Sequence, residues 1–250
     1  MKLPRVVLPE TLDGLVEDDP DALRSRRDLQ RVHLAMGTRR ILVQALGGLR
    51  MRRTEASPLR LLELGAGDGS LMLGVAQASK AQWPRVEITL LDRQSLVTPA
   101  TLTAYARLGW SATAQVVDVL DWAAASSPAK GGPVARWDVV VANLFIHHFE
   151  KSQLAVLLAA IEMHSECFFA CEPRRTRLAL VGSHLIGAIG ANAVTREDAV
   201  LSVHAGFQGT ELSALWPGEP VRWQMKEYSA GLFSHCFCAE RKPSRPKDTP

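Results

Sequence analysis

A chain of 250 residues with 47% hydrophobic and 22% charged residues has the composition of a folded globular protein. Its length suits one large domain, or one domain with a cap. The net charge of +3 is too small to make nucleic acid an expected partner. No apolar stretch reaches the ~18 residues of a membrane span, and Met1-Lys2-Leu3-Pro4 is not followed by the apolar core of a signal peptide, so a cytoplasmic location is expected.

Residues 1–57 read as an N-terminal helical cap segment. Val6-Val7-Leu8-Pro9 is short and extended, and Leu12, Leu15 and Val16 predict a small helix before the break Glu17-Asp18-Asp19-Pro20. Leu23, Leu29 and Val32 repeat at near-helical spacing and predict a helix from about Asp21 to Leu34. Met36-Gly37-Thr38 interrupts it, with Thr38 as the expected N-cap of a second helix. Ile41, Leu42, Ala45, Leu46 and Leu49 share one side of that helix. Arg39, Arg40, Arg50, Arg52 and Arg53 at its ends read as a solvated face with favourable charge at a helix C-terminus. A phosphate- or acyl-carrier-binding patch is the alternative.

The core begins at residue 58, after the turn Thr54-Glu55-Ala56-Ser57-Pro58. Leu61-Leu62-Glu63-Leu64-Gly65-Ala66-Gly67-Asp68-Gly69 is a buried strand ending in an acid, then glycines at every second position, then the helix-compatible Ser70-Leu71-Met72-Leu73. Glycine permits positive φ and close approach of a ligand to the backbone, and the helix start behind it offers unpaired N–H groups. The dinucleotide fingerprint G-x-G-x-x-G has a different spacing, which leaves a nicotinamide cofactor as a minor alternative. A second apolar run, Val86–Leu91, ends in Asp92, 23 residues beyond Gly69. An acid at that place can accept hydrogen bonds from ribose hydroxyls. Further runs end in Asp118-Val119, in Asn143 and in Glu172-Pro173. Five apolar strands, each ending in a polar residue, predict a parallel sheet with its ligand crevice at the carboxyl ends. Ser70–Lys80, Thr101–Leu108 and Lys151–Met163 are the intervening helices, and residues 126–133 are a surface loop by composition.

Residues 174–217 are too long for a simple crossover and carry helical patterns at Leu178–Gly187, Arg196–His204 and Thr210–Leu215. Val221–Ser229 and Leu232–Glu240, joined at Ala230-Gly231, predict a β-hairpin. The proline-rich, charged tail at 241–250 is expected to be disordered. Cys167, Cys171, Cys236 and Cys238 read as reduced core cysteines, and no metal is expected.

The Glu63-x-Gly65-x-Gly67-x-Gly69 turn, with the acids that follow it, resembles the class I S-adenosylmethionine-dependent methyltransferases over roughly residues 58–240. The resemblance implies an α/β, Rossmann-like fold: a seven-stranded, mostly parallel sheet ending in an antiparallel hairpin. N-terminal helices and the helical insertion at 174–217 would form a lid. It implies S-adenosylmethionine as cofactor and S-adenosylhomocysteine as product. Gly65, Ala66 and Gly67 would let the methionine end lie against the turn, with Glu63 engaging its amino group. Asp92, with Arg93 beside it, would serve the ribose, Asp118 and the backbone of Val119 the adenine, and Asn143 the aminocarboxylate or sulfonium. Asp118 has a rival, since Asp121 lies three residues on and could serve as a helix cap; a purely structural Asp118 is the alternative.

Leu144-Phe145-Ile146-His147-His148-Phe149 is similar to the segment that follows the fourth strand in ubiquinone/menaquinone-type methyltransferases. His148, His147 and Glu172 are therefore the candidate catalytic residues. Adjacent histidines on a strand or loop are expected to face apart, one into the site and one into the packing. Arg174 or Arg175 could pair with an acidic group on the acceptor, and His33, His204 and Trp216 could line its pocket. The segment lacks the prolines of the N/D-P-P-Y motif, which argues against a nucleobase or glutamine side chain. The apolar insertion (Leu178, Leu180, Val181, Leu185, Ile186, Ile189) points to a small hydrophobic acceptor that is phenolic, quinone-like or polyketide-derived, methylated on oxygen or carbon. An RNA or protein methyltransferase and a non-catalytic cofactor-binding module are the rival readings. The oligomeric state stays open.

Overall fold

The structure is a computed structural model and describes residues 3–49, 57–79, 83, 85–125 and 136–243. The loop expected over 126–133, the turn residues 54–56, Arg50, Arg52, Arg53, Lys80 and the tail from 244 lie outside the described residues.

Seven strands form one sheet: β1 (Leu59–Leu64), β2 (Val86–Asp92), β3 (Trp110–Val116), β4 (Val139–Asn143), β5 (Cys167–Pro173), β6 (Trp223–Ala230) and β7 (Ser234–Arg241). Their order is β3-β2-β1-β4-β5-β7-β6. The first five run parallel, and β7 lies antiparallel between β5 and β6. β4 and β5 are buried along their whole length, because helices cover both faces, and their β-branched and aromatic runs suit that position. Alternation divides the apolar residues between the faces. Leu62, Leu64, Val140, Ala142 and Phe168 pack under α6 (Val119–Ala125), α7 (Lys151–His164) and α10 (Glu211–Leu215). Leu59, Leu61, Val139, Val141 and Phe169 pack under α3 (Thr38–Gly47), α4 (Ser70–Ser79) and α5 (Pro99–Arg107). Strand order reverses between β1 and β4, so a crevice opens at their carboxyl ends.

The remaining helices are α1 (Thr11–Gly14), α2 (Pro20–Met36), α8 (Arg177–Leu185) and α9 (Ala193–Ala205). Asp19 caps α2 by accepting from the N–H groups of Asp21 and Ala22, with Pro20 as its first residue. Among the described residues, no helix is long and apolar enough to cross a membrane.

Two sequence expectations need correction. Thr38 is not a cap: Gly37 at φ 67° turns the chain directly from α2 into α3, and the Thr38 hydroxyl is buried inside the second helix. Strand β3 starts at Trp110 rather than near Ala114. It is an edge strand with mostly exposed positions, so its first half has no apolar run to announce it. Of the apolar residues in the insertion, Leu178, Val181, Leu185 and Ile189 are exposed.

All four cysteines are free and buried on the α3–α5 side of the sheet. Cys171 sits opposite Cys236 in the β5–β7 register. A hydrogen bond with Cys238, together with burial, pushes the Cys167 thiol well up.

Candidate active site

All three glycines of the turn after β1 adopt left-handed backbone angles: Gly65 at 66°, Gly67 at 56° and Gly69 at 73°. An L side chain there is strained whatever the space. At Gly65 space is lacking too, because a Cβ would lie 2.2 Å from the Phe145 ring. At Gly67 a Cβ would meet nothing within 4 Å, so the turn presents bare backbone to an open cavity. The turn is held by Ala66 N–H donating to the Leu91 carbonyl at 3.0 Å and by the Tyr105 hydroxyl donating to the Gly69 carbonyl at 2.8 Å.

Three acids surround the turn. The Asp92 carboxylate accepts from the Gly67 N–H at 2.8 Å and the Gln94 N–H at 2.9 Å, which fixes it at the end of β2. Asp68 accepts from Ser70 N–H at 2.9 Å and from Gln30 Nε2 at 3.1 Å, tying α2 to the start of α4. Glu63 is buried, and its Oε2 has no hydrogen-bond partner. Burial, with Asp68 and Asp92 adding to it, pushes the Glu63 carboxyl well above the ordinary range. Asn143, at the end of β4, likewise keeps a buried Oδ1 without a partner, while its Nδ2 lies 3.4 Å from His33 Nε2. Burial lowers His33 to about 4, with Asp68 opposing, so its ring is neutral at neutral pH. Asp118 caps α6 through Leu120 N–H at 2.7 Å, the role expected of Asp121. Val119, next to it, is buried. Arg93 turns to the N-terminal segment and pairs with Asp13 at 3.2 Å.

After β4 the chain makes a sharp turn. Leu144, at φ 47°, is the one non-glycine among the described residues with positive φ, a conformation that costs on the order of 1–3 kcal/mol. The turn aims the N–H groups of Phe145, Ile146 and His147 at the fully buried Glu172 carboxylate, all within 3.2–3.3 Å. His147 Nδ1 adds a fourth donor at 2.7 Å. Glu172 is thus saturated by the chain itself and acts as the anchor of this loop. It does not face an acceptor. Arg175 is also internal: it pairs with Glu211 and donates to the carbonyls of Gly206 and Leu3 at 2.8 and 3.0 Å. An acceptor-binding role for Arg175 is therefore excluded by its burial.

The two histidines do not face apart. They sit on a 3₁₀ turn, Ile146–His148, with ring centroids 4.2 Å apart. Both present Nε2 to Glu10, a residue of the N-terminal segment. His147 Nε2 lies 3.3 Å from Glu10 Oε1, and His148 Nε2 lies 3.2 Å from Oε2 and 3.8 Å from Asp13 Oδ2. Burial alone would raise Glu10, but hydrogen bonds from both histidines outweigh it and hold the carboxyl well below its ordinary range. Burial would lower His148; Glu10, Asp13 and the Phe145 carbonyl outweigh it and raise the ring to about 9. Arg5 fastens the segment by donating to the carbonyls of His147 and Phe149, each at 3.0 Å.

These groups line one cavity of about 1040 Å³. Glu63, Gly65, Ala66, Gly67, Asp92, Asp118, Val119 and Asn143 share it with Arg93, His147, His148, His33 and Glu10. A narrower apolar annex of about 150 Å³ lies beside it, between α2, α8 and α9. Glu10 and Asp13 carried no sequence signal, since isolated acids become a site only when the N-terminal segment folds across the sheet. His204 and Trp216 do not line this cavity.

No family model matches the chain, and no curated protein is similar to it. Solved structures are. The plantazolicin methyltransferase BpumL, in complex with a pentazolic desmethylPZN analog and SAH, superposes with a TM-score of 0.60 at 13% identity, over 90% of this chain and 92% of that one. The same enzyme in complex with SAH alone gives 0.58, also at 13% identity and over the same shares of both chains. An O-methyltransferase family protein from Burkholderia thailandensis gives 0.52 at 14% identity, over 92% of this chain and 64% of that one. The fold is therefore the Rossmann-like methyltransferase fold.

Proposed function

We propose that this protein transfers the methyl group of S-adenosylmethionine to an oxygen or carbon of a small hydrophobic acceptor, phenolic, quinone-like or polyketide-derived. The observation that carries the reading is the pair of partnerless buried acceptors, Glu63 Oε2 and Asn143 Oδ1, beside the open backbone at Gly67. Such atoms cost about 1–3 kcal/mol each unless a donor meets them. The ammonium of a methionine moiety is a donor of the right chemistry. Each Asp92 oxygen accepts one backbone N–H and has a lone pair left for a ribose hydroxyl, and Asp118 would serve the adenine. Similar structures bind S-adenosylhomocysteine, and plantazolicin analogs in one case, which favours the same cofactor here.

S-adenosylmethionine supplies a methyl group already activated by its sulfonium. The chain's own task is to align a nucleophile with it and exclude water. Neutral His33 and Asn143 adjoin the methionine end without adding a second positive charge. His148, backed by Glu10 and Asp13, faces the acceptor. His147 and Glu172 hold that loop in place. The N-terminal segment through α2 and the insertion helices α8 and α9 together serve as the lid, and the annex between them receives the apolar part of the acceptor.

The test is turnover of a panel of phenolic and quinol acceptors by the wild-type protein and by His148→Ala. The variant is expected to lose about 10²-fold or more in kcat while binding S-adenosylmethionine as before. Unchanged turnover would remove His148 from the reaction, and no turnover of any acceptor by the wild type would favour a non-catalytic binding module.

A further inference from the structure

We propose that Glu10, His147 and His148 form a binding site for one divalent transition-metal ion, of the zinc, cobalt or iron(II) type, at the acceptor end of the cavity. One ring nitrogen from each histidine and a carboxylate oxygen of Glu10 all lie within 4.8 Å of one another. The Glu10 oxygens stand 3.3 and 3.2 Å from the two Nε2 atoms. Metal–ligand bonds of about 2.0–2.1 Å in a tetrahedron set neighbouring ligand atoms roughly 3.3 Å apart. Each imidazole–carboxylate distance already matches that spacing, and the ligand atoms of all three side chains lie within 4.8 Å.

The outer contacts are those a metal site needs. A ligating histidine is normally oriented by a hydrogen bond from its other ring nitrogen to a carboxylate or carbonyl. Here His147 Nδ1 lies 2.7 Å from Glu172 Oε2, and His148 Nδ1 lies 2.8 Å from the Phe145 carbonyl oxygen. Both acceptors lack hydrogens, so each Nδ1 is a donor and each Nε2 faces Glu10; the Nε2 protons that bond Glu10 in the metal-free protein leave when the ion binds. The Ser202 hydroxyl donates to Glu10 Oε1 and holds the carboxylate in turn. Asp13, 3.8 Å from His148 Nε2, is near enough to join as a further oxygen ligand.

Ligand type sets the metal class. Two imidazoles and one carboxylate favour zinc, iron(II), cobalt or nickel over magnesium or calcium, which prefer oxygen donors throughout. Three protein ligands leave positions open for water or for an acceptor oxygen. Under the methyl-transfer reading, an ion there would hold the acceptor hydroxyl and lower its pKa. Binding itself does not depend on that reading. Glu10 and the histidines are 137 residues or more apart in sequence, so ligand spacing along the chain gives no hint of the site.

The experiment is titration of chelator-treated full-length protein with cobalt(II), read by calorimetry and by the visible absorption of the bound ion, then repeated with zinc(II). One equivalent per chain is expected. Glu10→Gln and His148→Ala should each weaken binding by about tenfold or more, and Glu172→Gln by about 10–100-fold. His184→Ala, a change at an exposed histidine far along α8, should leave binding unchanged. Glu10→Gln keeps the shape of the side chain, so a folded variant is available for the comparison, checked by its melting curve. Absence of binding by the wild type would overturn the proposal, as would binding indifferent to Glu10→Gln and His148→Ala. Neither result would touch the methyl-transfer reading, which is measured by cofactor binding and turnover.

Discussion

Glu172→Ala is expected to destabilise the protein by about 3–5 kcal/mol, the range for removing one member of a buried charged network. The loss follows from the count of donors on this one carboxylate. Three backbone N–H groups and His147 Nδ1 converge on it, and it is fully buried. Alanine leaves all four without an acceptor and without water, at about 1–3 kcal/mol for each group that finds no substitute. The Leu144 turn, already in a costly conformation, loses what holds it. With roughly 2–4 °C of melting temperature per kcal/mol for a chain of this size, a fall of roughly 10 °C is expected in a thermal melt. A change below about 1 kcal/mol, within the range of an ordinary surface substitution, would show that the carboxylate is not the anchor of this loop.

Alanine at Gly65 and at Gly67 should separate stability from binding. Both positions have left-handed φ, so both pay about 1–2 kcal/mol of backbone strain. At Gly65 the added methyl also collides with the Phe145 ring. The ring packs against Phe149 and His148, so its displacement adds an overpacking cost of about 1–3 kcal/mol. Gly65→Ala should therefore melt well below the wild type. At Gly67 there is open space, so the protein should keep its fold with a small loss of stability. Its methyl stands in the cavity, however, where the cofactor would lie. Gly67→Ala is expected to weaken S-adenosylhomocysteine binding by about 10²-fold, or about 2.7 kcal/mol. Equal melting temperatures for the two variants would contradict the clash with Phe145, and full affinity in Gly67→Ala would contradict the placement of the ligand on this turn.

The parts of the fold that could be read from the chain were those written in contiguous residues. β1, β2, β4 and β5 announce themselves because buried parallel strands are apolar on both faces. The glycine turn announces itself because only glycine suits three left-handed positions in five residues. The α/β class followed from those strands, and the seven-stranded sheet closed by the terminal hairpin followed from the methyltransferase resemblance. Edge strand β3 was read short because half its side chains face outward and are polar. The candidate site was legible only on its sheet side. The acids at strand ends and the His147-His148 pair stood out, but their mutual geometry did not. A 3₁₀ turn brings both rings to the same carboxylate, and no strand or loop rule predicts that. Glu10, Asp13 and Arg5 gain their positions from a segment whose partners, His147 and His148, lie more than 130 residues further along the chain. Arg175 looked like an acceptor ligand in the sequence, because a charged residue after a strand usually faces the crevice. Its burial against Glu211 could not be read from spacing.

The central claim is that the cavity over the Gly65–Gly69 turn holds S-adenosylmethionine. The most direct test is parallel calorimetric titration of the full-length protein with S-adenosylmethionine, S-adenosylhomocysteine and NAD, repeated with Asp92→Ala. The account predicts affinity of about micromolar strength, near −8 kcal/mol, for the first two ligands, no binding of NAD, and loss of the signal in a variant that still melts cooperatively. A folded wild-type protein that binds neither sulfonium nor thioether, or that prefers NAD, would contradict it.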